Sequence, residues 1–235
     1  LLKIETDLDY GGDFHGQDGP ILVKRHPLNS LTDDQLAFYE ACKYLGYKEN
    51  MDHNLPDATG VGPYPLNNPD GIRFSTALGY LSQSRHRLNL TIKPNCVTRK
   101  IVFDGNIATG VEVISGGEIF KIEGKEIILS AGSIATPQIL MLSGVGSEEL
   151  LSAFDISVIS DLPGVGENLR DHPTVHTTWE PHFSFNKPEQ KIGPQKVALR
   201  YTSQDSKYQN DMIMIMRFSH EVGDVGALML SVGIY

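Results

Sequence analysis

The chain has 235 residues, of which 40% are hydrophobic and 21% charged, as in an ordinary globular protein large enough to bury a core. Its 20 basic and 29 acidic residues give a formal net charge of −9, which disfavours nucleic acids and anionic membranes as partners. No apolar run reaches the roughly eighteen residues that span a bilayer, so no transmembrane segment is expected.

The first third of the chain is rich in loops and contains one well-marked helix. Gly19–Val23 predicts a short strand between turn signals. Ser30 is expected to cap a helix over residues 31–45, with acidic residues in its first turn and Gly46 at its C-cap. Residues 57–71 are rich in Gly, Pro and Asn and predict a loop.

The middle of the chain changes from helical to two-residue periodicity. Ser75 is expected to cap a helix over residues 76–87, and short strands follow it. Asp104-Gly105-Asn106 is a hairpin signal between two of these strands. The predicted strands are 89–92, 96–103, 107–114, 118–124 and 125–131.

Consecutive small residues follow the last of these strands. The strand 125–129 is predicted to be buried on both faces, as in a parallel α/β sheet, which binds ligands beyond the carboxyl ends of its strands. Residues 130–133 then either allow a tight turn or let a flat ligand or a neighbouring backbone approach. Thr136 and Pro137 predict the N-cap and first residue of a helix that ends at Ser143–Gly144.

From Thr174 onward, the pattern predicts a second, antiparallel sheet with one buried face. Met212, Met214 and Met216, with Trp179, could line a substrate pocket, although alternating methionines are more typical of a core. The predicted strands are 174–181, 196–203, 211–219 and 227–235.

Three GVG triplets are candidates for dinucleotide-binding loops. The position where a small residue is needed holds Pro65, Glu149 or Leu169, so turns are predicted instead. Ser133 and Ser143 lack the G-x-S-x-G frame of a hydrolase nucleophile, which favours helix-end roles for both. The triplets are Gly60–Gly62, Gly144–Gly146 and Gly164–Gly166.

Three histidines, His172, His176 and His182, lie close together in the sequence. Pro173 and the β-branched residues after it predict an extended chain, in which four residues span roughly 13 Å. That is too far for His172 and His176 to share one metal ion, so no metal site is expected. His172 is interpreted as an ordinary loop histidine.

The two cysteines, Cys42 and Cys96, lie in separate segments. They form no CxxC pair and indicate no disulfide framework. Their usage favours a reducing compartment such as the cytoplasm.

Several long blocks of the sequence resemble the glucose-methanol-choline (GMC) oxidoreductases, which are flavin-dependent enzymes that oxidise alcohols. Residues 131–146 are similar to the second signature of that family. The other blocks follow in the family's order, and the resemblance covers about residues 10–175. These blocks are 14–23, 67–81, 89–113 and 161–173.

The resemblance implies an α/β plus α+β fold, in which a partial FAD-binding Rossmann-like domain is interleaved with a substrate domain built on an antiparallel sheet. It implies substrate-domain parts and connecting loops at 1–74, FAD-binding parts at 75–165, and the substrate sheet at 166–235. In this family, a backbone position matching Val97 approaches the FAD adenine, and the turn matching Ala131 and Gly132 lies against the FAD. The small residues of that bend would then serve both as a turn and as room for the cofactor.

Two functional parts of the family pattern have no match in this chain. The pyrophosphate loop would precede it, and the block with the catalytic histidine would follow Tyr235, so no histidine here inherits that role. The chain starts without Met and ends on an apolar run, which is typical of an internal piece of a longer protein.

The expected function is an FAD-dependent oxidoreductase that acts on the CH–OH groups of alcohols and transfers hydride to the flavin. The electron acceptor stays open. The alternative is a non-catalytic fragment or binding module, and the flanking sequence would discriminate between the two. The isolated chain is expected to bind FAD poorly, to turn over no alcohol and to aggregate through unpaired sheet edges.

Overall fold

The computed structural model describes residues 3–179, 195–219 and 227–234. The chain divides into two compact units: unit 1 contains Leu1–Leu90 and His172–Tyr235, and unit 2 contains Thr91–Asp171. Unit 2 is thus inserted between two parts of unit 1. The predicted domain boundaries fall earlier in the chain than these divisions, and the assignment of the domains to cofactor and substrate stays a prediction.

The described residues form short strands and short helices. Turns of 3₁₀ helix occur at Leu28–Ser30 and Pro69–Gly71, and a π-helical turn at Ala77–Leu81 leads into α2. None of the helices in the described ranges is long and apolar enough to cross a membrane. In chain order the elements are β1 (Glu5–Asp7), β2 (Ile21–Val23), α1 (Asp33–Tyr44), β3 (Gly60–Pro63), α2 (Ser82–Ser84), β4 (Val97–Asp104), β5 (Ile107–Ser115), β6 (Glu118–Glu123), α3 (Gly132–Leu142), β7 (Val145–Gly146), α4 (Glu148–Ala153), β8 (Ser160–Asp161), β9 (Thr174–Trp179), β10 (Val197–Tyr201), β11 (Met212–Ser219) and β12 (Ala227–Ile234).

Unit 1 is built on a five-stranded antiparallel sheet with the order β3-β10-β11-β12-β9. This confirms the predicted second sheet, to which β3 adds an edge strand. The prediction of a turn at Gly60–Gly62 was therefore wrong. A Cβ at Gly60 or Gly62 would lie 2.2 Å from the Lys48 carbonyl oxygen or 1.6 Å from that of Asn50, so these glycines allow a close backbone approach within a strand.

One face of this sheet packs against α1 and forms the core of unit 1. The cluster joins Phe38, Tyr39 and Cys42 of α1 to apolar residues of β3 and β10. Met214 and Met216 pack against this cluster, which confirms the core interpretation for both of them. The remaining members of the buried cluster are Val61, Val197 and Leu199.

Unit 2 contains a three-stranded antiparallel sheet with the order β4-β5-β6. The two-residue turn between β4 and β5 confirms the hairpin predicted at Asp104-Gly105-Asn106. Helix α3 ends at Leu142 with Ser143 as its C-cap, as predicted. The Ile101 N–H donates to the Ser143 Oγ over 2.8 Å and so connects β4 to the end of α3. The third GVG triplet, Gly164–Gly166, lies in a turn, as predicted, whereas Val145–Gly146 forms β7.

Two of the predicted strands, 89–92 and 125–131, are not strands in the structure. No strand in the described part of the chain pairs with either segment, and strand geometry needs a ladder partner more than it needs local propensity. Residues 125–131 are also not buried on both faces, because the Ile128 side chain is 78% exposed.

Two predicted helix starts were wrong. Helix α3 begins at Gly132, five residues before the predicted first residue, so that Pro137 lies inside it. The Thr136 Oγ accepts a hydrogen bond from the Ala131 N–H over 3.1 Å instead of capping its own helix start. In the first part of the chain, Ser30 belongs to a 3₁₀ turn and Thr32 precedes α1. The helix start predicted after Ser75 is confirmed, because Thr76 is already helical and the Gly79 N–H donates to the Ser75 carbonyl oxygen over 3.0 Å.

Candidate functional site

The three predicted cofactor contacts all belong to unit 2 and all face solvent. Val97 is the first residue of β4 and its side chain is 63% exposed. Since β4 is an edge strand, the backbone groups on its outer side have no strand partner among the described residues. Such an edge leaves main-chain donors and acceptors available to a ligand.

The bend at Ala131 and Gly132 is bare. Gly132 has φ +86°, a left-handed conformation that favours glycine, and apart from its chain neighbours and the backbone of its own helix no described atom lies within 4 Å of the position that a Cβ would occupy. Both residues are exposed. The bend is therefore not filled by the described side chains, and its geometry fits either a tight turn or a flat ligand. Contact of Val97, Ala131 and Gly132 with FAD stays a prediction.

Unit 2 also has a surface depression of about 750 Å³. Val102, Asp104, Lys121 and Lys125 contribute to its lining, which places it at the other end of β4 from Val97. It shares no residue with the predicted cofactor contacts, so its size does not make it the cofactor site.

The face of the unit 1 sheet opposite α1 carries polar side chains. Residues directly opposite each other on antiparallel strands lie on the same face. The register places His176 opposite Ser231 and Ser231 opposite Ile215, and the next row joins Thr174, Gly233 and Ile213. We call this the open face of the sheet.

A groove of about 210 Å³ lies on the open face. Its apolar part is formed by Ile213 and Ile215, of which Ile213 is 6% exposed, together with Gly233. The His176 Nδ1 and the Ser231 Oγ are 2.9 Å apart, within hydrogen-bond distance. The polar lining residues are His172, Thr174, His176, Gln195 and Ser231.

A loop covers the same face at its other end, over β3 and β10. The buried His53 Nε2 lies 3.2 Å from the Gly62 carbonyl oxygen, and Arg200 donates to the His53 carbonyl oxygen over 3.1 Å. Burial lowers the pKa of His53 to about 4, and the positive charge of Arg200 acts in the same direction. The ring is therefore neutral at pH 7 and is part of the packing of the loop.

A buried ionic cluster holds this loop to the start of the chain. The Arg25 guanidinium contacts both carboxylate oxygens of Asp7 at 2.9 Å and Asp52 at 2.7 Å. His15 places its two ring nitrogens 2.9 Å from Asp7 and from Asp52. All four residues are buried. The cluster therefore fixes Asp52, the residue next to His53, in place.

Burial alone would raise the pKa of the Asp7 carboxyl. The N–H of Asp9 and the Arg25 guanidinium outweigh that effect, so the pKa of Asp7 lies below its usual value. The sequence alone does not reveal this cluster, because its members come from four loops and strand ends without a common period. Arg25 stands in the basic run Lys24-Arg25-His26, which carries no signal of burial.

No group of His, Cys, Asp and Glu side chains in the described ranges could hold a metal ion. Within the same ranges, His176 lies on an extended strand, and it pairs with Ser231 instead of with His172. The third histidine considered, His182, lies outside the described residues.

Most of the chain matches known proteins. The family profile described as GMC oxidoreductase matches residues 7–174. An uncharacterized GMC-type oxidoreductase of Rhodococcus erythropolis is 42% identical over 77% of this chain and 36% of its own length. An oxygen-dependent choline dehydrogenase of Escherichia coli is 45% identical over 76% of this chain and 33% of its own length. The chain thus spans about a third of these curated relatives.

Solved structures agree with this fold. The chain matches a pyridoxine 4-oxidase from Mesorbium loti with a TM-score of 0.83 and 26% identity, over 99% of the chain and 47% of that protein. An FAD-dependent oxidoreductase from Chaetomium thermophilum matches with a TM-score of 0.67 and 30% identity, over 74% and 33%. The formate oxidase of Aspergillus oryzae, at 21% identity and a TM-score of 0.77, supports the fold alone, over 99% and 51%. The predicted fold class, an incomplete FAD-binding domain interleaved with an antiparallel-sheet domain, is confirmed.

Proposed function

Because this chain belongs to the GMC oxidoreductase family, we propose that the full-length product of its gene is an FAD-dependent oxidoreductase that acts on the CH–OH groups of alcohols. The family consists of oxidoreductases, and FAD is the cofactor that the matching folds share. The observation that carries the proposal for this chain is the bare bend at Gly132, in the segment that resembles the family's second signature.

Three positions of unit 2 would hold part of the cofactor. The edge of β4 at Val97 offers backbone groups, and Ala131 and Gly132 offer a surface without long side chains. Small residues let a planar ring system approach the backbone closely. The bound flavin supplies a hydride acceptor, which no amino-acid side chain provides.

The groove on the open face of unit 1 would take the alcohol. His176 and Ser231 can donate or accept hydrogen bonds there, and the buried Ile213 gives the groove an apolar floor. Their role is to bind and orient the substrate. No residue of this chain is proposed to remove the hydroxyl proton, because the resemblance assigns that step to a histidine beyond Tyr235.

The alternative proposal is a non-catalytic protein or binding module of the same fold. It also accounts for a chain that spans about a third of its curated relatives. The two proposals differ in one measurable property, since only the enzyme transfers electrons from an alcohol to a bound flavin.

The cofactor contact is tested with two glycines of unit 2 that differ only in the predicted role. Gly117 also has φ +86° and no atom within 4 Å of its Cβ position, so Gly132→Leu and Gly117→Leu introduce the same backbone strain. We expect the full-length protein to purify with FAD, G117L to retain it, and G132L to lose at least about tenfold in FAD affinity.

FAD content is measured from the flavin absorbance per protein, and affinity by titration of the apoprotein. A full-length protein that binds no flavin would overturn the proposed function. Equal FAD affinity in the two leucine variants would remove Gly132 from the site and leave the family assignment intact.

A further inference from the structure

The groove on the open face also constrains the class of alcohol. Its polar lining in the described ranges consists of two imidazoles, two hydroxyls and one amide. Each of the five groups can donate or accept hydrogen bonds, although one donor of the His176–Ser231 pair is used within that pair, and none is a carboxylate or an aromatic ring of Phe, Tyr or Trp. A site of this composition suits a ligand with oxygen atoms that accept hydrogen bonds.

A quaternary ammonium group needs a different site. It has no N–H to donate, so proteins recognise it by the faces of aromatic rings or by a nearby negative charge. The described lining of the groove offers neither. Asp171 and Asp211 border the lining residues in the chain without lining the groove, and the Asp211 carboxylate accepts hydrogen bonds from Ser203.

One charge on the open face, that of Arg200, has the same sign as an ammonium ion. Arg200 lies opposite Ile213, in the row that continues from the groove onto β10. The guanidinium is always positively charged. A bound cation would therefore meet a like charge on the open face, whereas a neutral or anionic oxygen would not.

We infer that the groove recognises a small alcohol with at least one further hydrogen-bonding oxygen, and that it discriminates against quaternary ammonium alcohols such as choline. This inference rests on the proposed function, because it assigns the alcohol to this groove. It separates the chain from the choline dehydrogenases to which it is 45% identical. His176 and Ser231 are the specificity-determining residues, since they face each other across β9 and β12 at the centre of the lining.

The test compares choline with 3,3-dimethylbutan-1-ol, in which a neutral carbon replaces the charged nitrogen, and with glycerol. Flavin reduction and steady-state kcat/KM are measured on the full-length holoenzyme, and binding to the same protein is measured by calorimetry. We expect glycerol to be preferred over the neutral analogue, and choline to have a kcat/KM at least about tenfold below that of the analogue.

Two substitutions assign the preference to the groove. Ser231→Ala is expected to lower kcat/KM for glycerol about tenfold and to leave the neutral analogue unchanged, because only glycerol loses a hydrogen bond. Ser231→Asp introduces a carboxylate and is expected to raise kcat/KM for choline relative to its neutral analogue at least about tenfold. Val175→Thr is the control, since it is isosteric and 69% exposed on the opposite face of β9.

Flavin absorbance and the melting temperature are recorded for each variant, so that a folding defect is recognised. The inference is wrong if choline equals or exceeds its neutral analogue in kcat/KM and in calorimetric affinity, or if neither glycerol nor the analogue binds in the millimolar range. Retention of FAD in that case would leave the proposed function standing.

Discussion

The two units of this chain differ in which charged and apolar groups they bury and which they expose. Unit 1 buries Asp7, His15, Arg25 and Asp52 and pairs each of them with another member of the cluster. Unit 2 exposes Ile128 and leaves the bend at Gly132 bare. Buried charges are tolerated only when they are paired, whereas an exposed apolar side chain beside a bare bend provides a surface that a ligand or another protein segment can cover. Unit 1 thus contains a buried set of paired charges, whereas the bend of unit 2 is uncovered.

The largest expected effect comes from opening the ionic cluster of unit 1. Arg25→Met leaves two buried carboxylates without their cation and is expected to lower the free energy of unfolding by about 3–5 kcal/mol. Lys24→Met is the matched control, because Lys24 pairs with Asp70, whose side chain is 82% exposed, and should cost less than about 1 kcal/mol. Urea unfolding followed by circular dichroism measures both. Similar losses in the two variants would contradict the special role of the cluster.

The free energy of unfolding of unit 1 should depend on pH because the imidazole of His53 is buried. The pKa of His53 is about 4 in the folded protein and 6.5 ordinarily, because burial disfavours the charged form. The unfolded chain therefore binds a proton between these values that the folded chain does not bind. His53 stabilises the fold fully above pH 6.5, and about 3 kcal/mol of that is lost as the pH falls to 4.

This prediction is checked by measuring the free energy of unfolding from pH 7.5 to 4 for the protein and for His53→Gln, whose amide can still donate to the Gly62 carbonyl. The variant should lose most of the pH dependence in this window. An unchanged slope would mean that another group titrates there. Below about pH 4, protonation of Asp7 should destabilise both proteins, because its folded pKa is lowered.

A smaller effect is expected for the hydrogen bond that connects β4 to α3 in unit 2. Ser143→Ala removes the acceptor of the buried Ile101 N–H and should cost about 1–3 kcal/mol of the free energy of unfolding. Ser133→Ala in the same helix is the control, because Ser133 is exposed and should change stability by less than about 0.5 kcal/mol. If both substitutions leave the free energy of unfolding unchanged, Ser143 does not hold the helix to the sheet.

The smallest expected effect is a difference in reactivity between the two thiols, one in each unit. It involves no change in stability. Burial raises the pKa of the Cys42 thiol to about 11, while Cys96 of unit 2 is partly exposed. Ellman's reagent should therefore react quickly with Cys96 in the native protein and with Cys42 only after denaturation. Cys96→Ser should abolish that fast reaction and Cys42→Ser should leave it, and the reverse pattern would show that unit 1 opens more readily than unit 2.

Local features of the sequence were sufficient for much of the fold. The alternation after Thr174 predicted the antiparallel sheet, and Asp104-Gly105-Asn106 predicted the hairpin between β4 and β5, because both depend on neighbouring residues. Long blocks in a fixed order were sufficient for the family. The apolar pattern of residues 125–131 predicted a strand wrongly, because no strand in the described part of the chain pairs with this segment.

By itself, the sequence therefore determined the family, the fold class and most strands, since periodicity and turn chemistry act over a few residues. Only the tertiary structure decided which face of the sheet stays open, brought His176 to Ser231 across 55 positions of the chain, and gathered Asp7, Arg25 and Asp52 into one buried cluster. Such contacts depend on strand register and on the pairing of charges removed from water, and both are properties of the folded chain as a whole.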